Sequence, residues 1–124
     1  MLLLDSHVLL WWMLDPDRLS QPTIAEIIRG QDRVFVSAAT IWEIEIKRTA
    51  GRLELPGSVV THADEEGFTP LPIMARHAAM AAALPTHHKD PFDRMLVAQA
   101  SIERLTLVTA DRDIARYDVA TLAP

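Results

Sequence analysis

The sequence predicts an α/β protein, a parallel sheet with helices on both faces. Three observations carry this. Short apolar or β-branched runs (LLL at 2–4, RVFVS at 33–37, LTLVT at 105–109) alternate along the chain with longer stretches of helical periodicity. Two of these runs lead into an aspartate, Asp5 and Asp111. The 124 residues, 49% apolar and 23% charged, suit one domain with a real core and a water-compatible surface. Right-handed crossovers then leave few topologies.

Residues 2–4 read as a buried strand ending at Asp5. Ser6 to Leu14 reads as a short, very apolar helix, with Ser6 as the candidate N-cap and Asp15-Pro16 as the stop. A second helix runs from Ser20 to Gly30, with Pro22 in its first turn. Arg33 to Ser37 is β-branched and aromatic, hence a strand, and Ser37 then caps a helix reaching Ala50 and closed by Gly51. A weaker helix spans Pro56 to Gly67, and a short third strand spans Phe68 to Leu71. The alanine-rich helix from Ile73 to Leu84 ends at Pro85. After the polar connection THHKD, Pro91 to Arg104 is a helix. Asp90 is its N-cap, Pro91 its first residue, and Met95, Leu96, Ala98 and Ile102 recur on one face. Leu105 to Thr109 is a strand, followed by a helical turn over 111–116 and a last strand near Val119 to Leu122.

The chain has no cysteine, which rules out disulfides and thiolate metal sites and fits a reducing compartment. No apolar run reaches the roughly 20 residues of a membrane span. Met1 leads straight into LLLD, without a basic segment or a small-residue cleavage site, so a cytoplasmic protein is expected. Twelve Lys plus Arg against 17 Asp plus Glu leave a net charge of −5. A protein that binds nucleic acid by charge alone should be basic. Either nucleic acid is not the ligand, or part of the negative charge belongs to a site that a cation neutralises.

Open parallel sheets bind ligands at the carboxyl ends of their strands. If the strands leading to Asp5 and Asp111 are neighbours, their backbones lie about 5 Å apart. Asp90 and Asp93 straddle the start of the helix after THHKD. Glu43 sits in the second turn of the helix capped by Ser37, among Ile41, Trp42, Ile44 and Ile46, a stretch that reads as largely buried. A charge there needs a partner or a metal. Two carboxylates about 5 Å apart repel by roughly 3 kcal/mol at an effective dielectric near 20. Four in one cleft offset a large part of a small domain's ~5–15 kcal/mol of stability. Protonation, nearby arginines or hard divalent cations relieve this, and oxygen-only ligands select Mg²⁺ or Mn²⁺ over zinc. Two such ions add +4 and take the chain from −5 to −1.

Each acid also has a structural reading. Asp90 caps a helix, Asp93 faces a helix dipole, Asp111 caps the turn that follows it, Asp113 is solvated, and Glu43 pairs with Lys47. Asp5 resists such a reading, because ending a buried strand requires no carboxylate. His87 and His88 lack spaced ligand partners and read as polar loop groups, and His7 as a helix-face histidine. Trp11, Trp12 and Trp42 lie at helical spacing among leucines and isoleucines, which favours core or interface over base stacking. There is no G-x-G-x-x-G, P-loop, G-x-S-x-G elbow or cysteine nucleophile.

MLLLDSHVLLWW, VSAATIWEIEIK, HHKDPFDRMLVAQA and LTLVTADRDI, in that order and covering nearly the whole chain, together resemble the PIN-domain ribonucleases, and among them the VapC toxins of prokaryotic toxin–antitoxin pairs. DPFDRMLVAQA is the most specific segment. The resemblance implies a single domain over residues 1–124, a three-layer α/β/α sandwich with a parallel five-stranded sheet. It also implies Mg²⁺-dependent endonucleolytic cleavage of RNA, with Mn²⁺ able to substitute. Asp5, Glu43, Asp93 and Asp111 match the catalytic, metal-binding acids. Asp5 and Asp93 would hold the principal ion, and Glu43 and Asp111 would complete the site or recruit a second. Glu43 is preferred to Glu45, which faces elsewhere on the helix. Asp90 supports the site, and Asp111 and Asp113 compete for the fourth place. Ser6 stands where many relatives have threonine. Lys47, Arg48, Lys89, Arg94 and Arg112 are candidates for flanking phosphates. The implied partners are RNA, a cognate antitoxin whose tail lies in an apolar groove that Trp11, Trp12 and Trp42 help form, and a second copy of the chain.

Two rivals remain: a receiver-like signalling domain and a catalytically inactive PIN fold used for binding. A receiver needs paired acids after its first strand, an acceptor aspartate after a central strand and a lysine after a late one. Here Asp5 stands alone, RVFVS ends in Ser37 and no lysine follows LTLVT.

Overall fold

The computed structural model describes residues 1–30 and 33–124. Its strands are β1 (Leu2–Leu4), β2 (Val34–Ser37), β3 (Thr69–Leu71), β4 (Thr106–Val108) and β5 (Thr121–Leu122). Its helices are α1 (Ser6–Leu14), α2 (Gln21–Arg29), α3 (Ala38–Thr49), α4 (Val59–Glu65), α5 (Ala75–Ala83) and α6 (Pro91–Glu103). Tight 3₁₀ turns lie at Pro16–Arg18 and Ile114–Arg116. The five strands form one parallel sheet in the order β3-β2-β1-β4-β5. In that order β1 is central, between β2 and β4, whereas a receiver places its first strand between the second and the third. The signalling-domain reading ends there.

Side chains alternate across each strand and so build a core on each face. Leu4, Val34, Val36 and Val108 join Val8, Leu9, Ile27, Ile44 and Val59 on one face. Leu3 and Leu107 join Leu96, Val97, Ala100, Ile114 and Tyr117 on the other. These are the three layers that the resemblance implies. Among the described residues, no helix is long and apolar enough to cross a membrane.

Helix limits follow local chemistry. Ser20, Ser37, Ser58 and Asp90 cap α2, α3, α4 and α6 through their side-chain oxygens. Gly51, at φ 73°, takes the left-handed turn that closes α3. Three expectations change. The N-cap of α1 is Asp5, not Ser6: Asp5 has extended backbone and its Oδ1 accepts the Val8 N–H at 2.9 Å. Helix α4 is also shorter than the span 56–67, because Ser58 caps it and Gly57 turns ahead of it at φ 79°. In α6 all of Leu96 to Ala100 is buried, so the helix is covered on more than the one face expected.

Arg94 determines how the loop before α6 lies. One guanidinium nitrogen donates to the carbonyls of Ala81 and Leu84 at 2.9 Å, and the other donates to Pro85 at 3.0 Å and His88 at 3.2 Å. Arg94 is therefore a clamp on the end of α5 and the 84–90 loop, which corrects its reading as a phosphate contact. Arg94→Ala is expected to cost about 2–4 kcal/mol of unfolding free energy in a urea melt, since several carbonyls lose a charged donor. Arg112→Ala, at an exposed position, should stay within about 0.5 kcal/mol of wild type.

Candidate metal centre

The parallel order brings the carboxyl ends of β2, β1 and β4 to one edge. Asp5 leaves β1 there, its N–H donating to Val108 of β4 at 3.2 Å. The Asp5 carboxylate is buried and takes hydrogen bonds from the Val8 N–H and the Thr109 side chain. Thr109 Oγ1 in turn accepts the Asp111 N–H at 3.0 Å. Asp111 uses Oδ1 to accept the N–H groups of Asp113 (2.8 Å) and Ile114 (3.2 Å), which leaves Oδ2 facing His88 Nε2 at 2.9 Å. Asp93, in the first turn of α6, has Oδ2 3.1 Å from the same nitrogen. Glu43 accepts a short hydrogen bond from the Ser6 hydroxyl, while Lys47 Nζ lies 3.7 Å from its other oxygen.

His88 is the residue that the sequence reading missed. Its Nδ1 accepts the Asp90 N–H at 3.1 Å, so the proton sits on Nε2, between Asp93 and Asp111. Nothing in the spacing of HHKD announces this, because it depends on the loop folding back under Arg94. His87 stays apart, edge-on to Tyr117 with ring centroids 4.9 Å apart. Asp90 is the α6 cap, its Oδ1 accepting the N–H groups of Phe92 and Asp93. Asp113 sits at the rim, more than half exposed, and among the described residues it forms with His88 and Asp111 the group of three whose candidate ligand atoms lie within 4.8 Å of one another, a group that does not include Asp5, Glu43 or Asp93. Glu45 pairs with Arg48 on the outer side of α3.

The surroundings of Glu43 also differ from expectation. Trp42 is 62% exposed and Ile46 40%, so Glu43 does not interrupt a buried stretch. It lies on a partly covered side of α3, between the exposed Trp42 and the fully buried Ile44. The tryptophans separate accordingly. Trp11 and Trp12 pack against the core, and Trp42 stands outside it, edge-on to Phe92 with centroids 5.2 Å apart.

The electrostatics are those of acids crowded together. Burial first, then the charges of Asp90, Glu43 and Asp111, push Asp93 up to about 7 against the opposing pull of His88. Burial also raises Asp5, despite its hydrogen bonds from Thr109 and Val8, and the charge of Asp111 adds to the rise. Burial would raise Asp111 too, but hydrogen bonds from His88, Ile114 and Asp113 outweigh it and hold this group low. His88 is pulled down by desolvation and driven up further by its bond to Asp111 and the charges of Asp93, Asp111 and Asp90.

Asp5 and Asp93 are thus each raised by the charge of Asp111 at the sheet edge, and Glu43 acts on Asp93 from α3. The donors are carboxylate oxygens with one imidazole at the rim, and burial and neighbouring acids disfavour the charged forms of Asp5 and Asp93 when no cation is bound. Both features fit a hard divalent cation.

The PIN domain family model matches residues 2–120. The chain is 35% identical over 118 residues to ribonuclease VapC22 of Mycobacterium tuberculosis, covering 89% of this chain and 86% of that one. Among solved structures, FitAcB from Neisseria gonorrhoeae superposes with a TM-score of 0.69 at 26% identity, covering 99% of this chain and 97% of that one. A toxin–antitoxin complex from Klebsiella pneumoniae gives a TM-score of 0.68 at 17% identity, with 99% and 97% covered, a likeness of fold. With the sheet order, the acid-lined edge and these likenesses in agreement, the chain belongs to the PIN-domain family, among the VapC-type ribonucleases.

Proposed function

We propose that this chain, working as one domain over residues 1–124, is the toxic endoribonuclease of a toxin–antitoxin pair. It hydrolyses RNA phosphodiester bonds with Mg²⁺ held by Asp5, Glu43, Asp93 and Asp111, Mn²⁺ being able to substitute, and a cognate antitoxin silences it. The observation that carries this reading is geometric: Asp93 and Asp111 lie 3.1 and 2.9 Å from one His88 nitrogen at the sheet edge where Asp5 emerges. Burial and three neighbouring acids raise Asp93 to about 7, in keeping with a carboxyl that a cation would stabilise.

When bound, the cation acidifies a water for attack and stabilises negative charge on the phosphoryl oxygens. The chain's own residues do the rest. Asp5 and Asp93 form the principal ligand pair, and Glu43 and Asp111 complete the site. Ser6 fixes the Glu43 carboxylate, Thr109 and the Val8 N–H fix Asp5, and the N–H groups after Asp111 fix that side chain. His88 orients Asp93 and Asp111 at the mouth. Lys47 beside Glu43, Arg48 further along α3, and the exposed Lys89 and Arg112 supply positive charge for flanking phosphates.

Large apolar side chains left on the surface, among them Trp42, Val60 and Leu14, support protein partners: an antitoxin tail and a second copy of the chain. An RNA substrate makes the cytoplasm the place of action.

Asp5→Asn and Asp93→Asn should each lower Mg²⁺-dependent cleavage of an RNA substrate by at least about 100-fold. Asparagine still caps α1, so the fold survives at position 5. Cleavage by either variant at the wild-type rate, with contaminating nuclease excluded, overturns the assignment.

The ion-free protein should also lose stability as pH rises. Folded Asp93 keeps its proton to about pH 7, but in the unfolded chain it does so only to about 4, so the folded state holds the extra proton in between. Raised Asp5 and His88 act in the same direction, and lowered Asp111 opposes only on the acid side of the window. Thermal melts without divalent ions should therefore give a Tm at pH 8 below that at pH 5 by roughly 3–8 °C, and Mn²⁺ should remove the difference. A Tm that climbs between these pH values contradicts the site's electrostatics.

A further inference from the structure

Thr40 is 1% exposed, and its Oγ1 is the one buried side-chain polar atom among the described residues without a hydrogen-bond partner. Buried polar atoms are almost always paired, and an orphan asks for an explanation, such as a bound ion or its water. A helical threonine ordinarily satisfies itself on a carbonyl one turn earlier. Thr40 does not.

Its position says what the hydroxyl is for. Thr40 lies in the first turn of α3, three residues before Glu43 and four before the buried Ile44, so the three share one face. The Ser6–Glu43 hydrogen bond holds that face against the first turn of α1, directly after Asp5. Helical Cα–Cβ bonds tilt toward the N-terminus, which carries the Thr40 side chain toward Ser37 and the carboxyl edge of the sheet. There β2 ends beside β1, the strand from which Asp5 emerges. The other hydroxyls of this edge are engaged: Ser6 with Glu43, Thr109 with Asp5, and Ser37 with Gln99 at 2.6 Å.

We propose that the Thr40 hydroxyl is a positioning member of the metal centre, donating a hydrogen bond to a water carried by the bound divalent cation. The proposal rests on the cation reading above. Ions of the Mg²⁺ class keep several of their waters, and a side chain bonded to that shell fixes the ion's place without touching it. Removing such an outer partner lowers metal affinity by about 10–100-fold.

The test is a calorimetric Mn²⁺ titration of wild type, T40V, T40S and D93N, with a thermal melt of each without divalent ions. T40V replaces the hydroxyl by a methyl of the same shape. It should bind Mn²⁺ about 10–100-fold more weakly, while its ion-free Tm equals or exceeds that of wild type, because an unsatisfied group has been removed. T40S should bind like wild type, and D93N should not bind. Wild-type affinity in T40V, with D93N inactive in binding, overturns the role of Thr40 and leaves the cation site standing. Equal losses in T40V and T40S also overturn it, since shape and not the hydroxyl is then what matters. Wild type without Mn²⁺ binding overturns both readings. Should T40V fail to fold, T40A replaces it, and unchanged affinity there counts against the proposal.

Discussion

Like charges held close together inside a protein are the constraint to which this structure answers. Asp5, Asp93 and Asp111 come from three separate parts of the chain to one sheet edge, and Glu43 approaches from a fourth. Each is held by a neutral or positive neighbour: Asp5 by Thr109 and a helix N–H, Glu43 by Ser6 and Lys47, Asp93 by His88, and Asp111 by His88 and two turn N–H groups. Such tethers do not cancel the repulsion; they stop the carboxylates from turning away from one another. Under the cation reading proposed above, these hydrogen bonds would limit how far the carboxylates must turn to reach an ion.

The clamp at Arg94 extends this logic beyond the pocket. By gathering carbonyls from the end of α5 and from the following loop, it sets the path of residues 84–90 and thereby puts His88 above Asp93 and Asp111. Asp90 works on the same segment from the other side, capping α6 while its own N–H goes to His88. The acids that follow β1 and β4 are placed by the sheet, Asp93 by the first turn of α6, and His88 by the loop that this arginine closes.

The sheet was legible because its strands are short apolar runs, and most helix ends because Ser20, Ser37, Asp90, Gly30 and Gly51 carry capping chemistry in their own side chains or backbone freedom. The choice between Asp5 and Ser6 as a cap was not legible. Both side chains can cap, and which one has extended backbone depends on where β1 releases the chain. Apolar neighbours misled at Glu43, since adjacent helical positions point different ways and Trp42 and Ile46 face outward. His88 and Arg94 were misread for a common reason. Their roles arise from a loop folding onto distant carbonyls and carboxylates, and no short-range pattern encodes that.

The cap on α1 has a consequence for ion choice. Asp5 spends Oδ1 on the Val8 amide, and Asp111 spends Oδ1 on two turn amides, so neither can turn both oxygens to an ion without giving up a backbone hydrogen bond. Calcium is best served by carboxylates that grip with both oxygens and by many ligands in a loose shell, whereas small octahedral ions accept one oxygen from each acid. Under the cation reading, the same bonds that begin a helix and close a turn would therefore favour a small octahedral ion over a larger one that needs bidentate carboxylates.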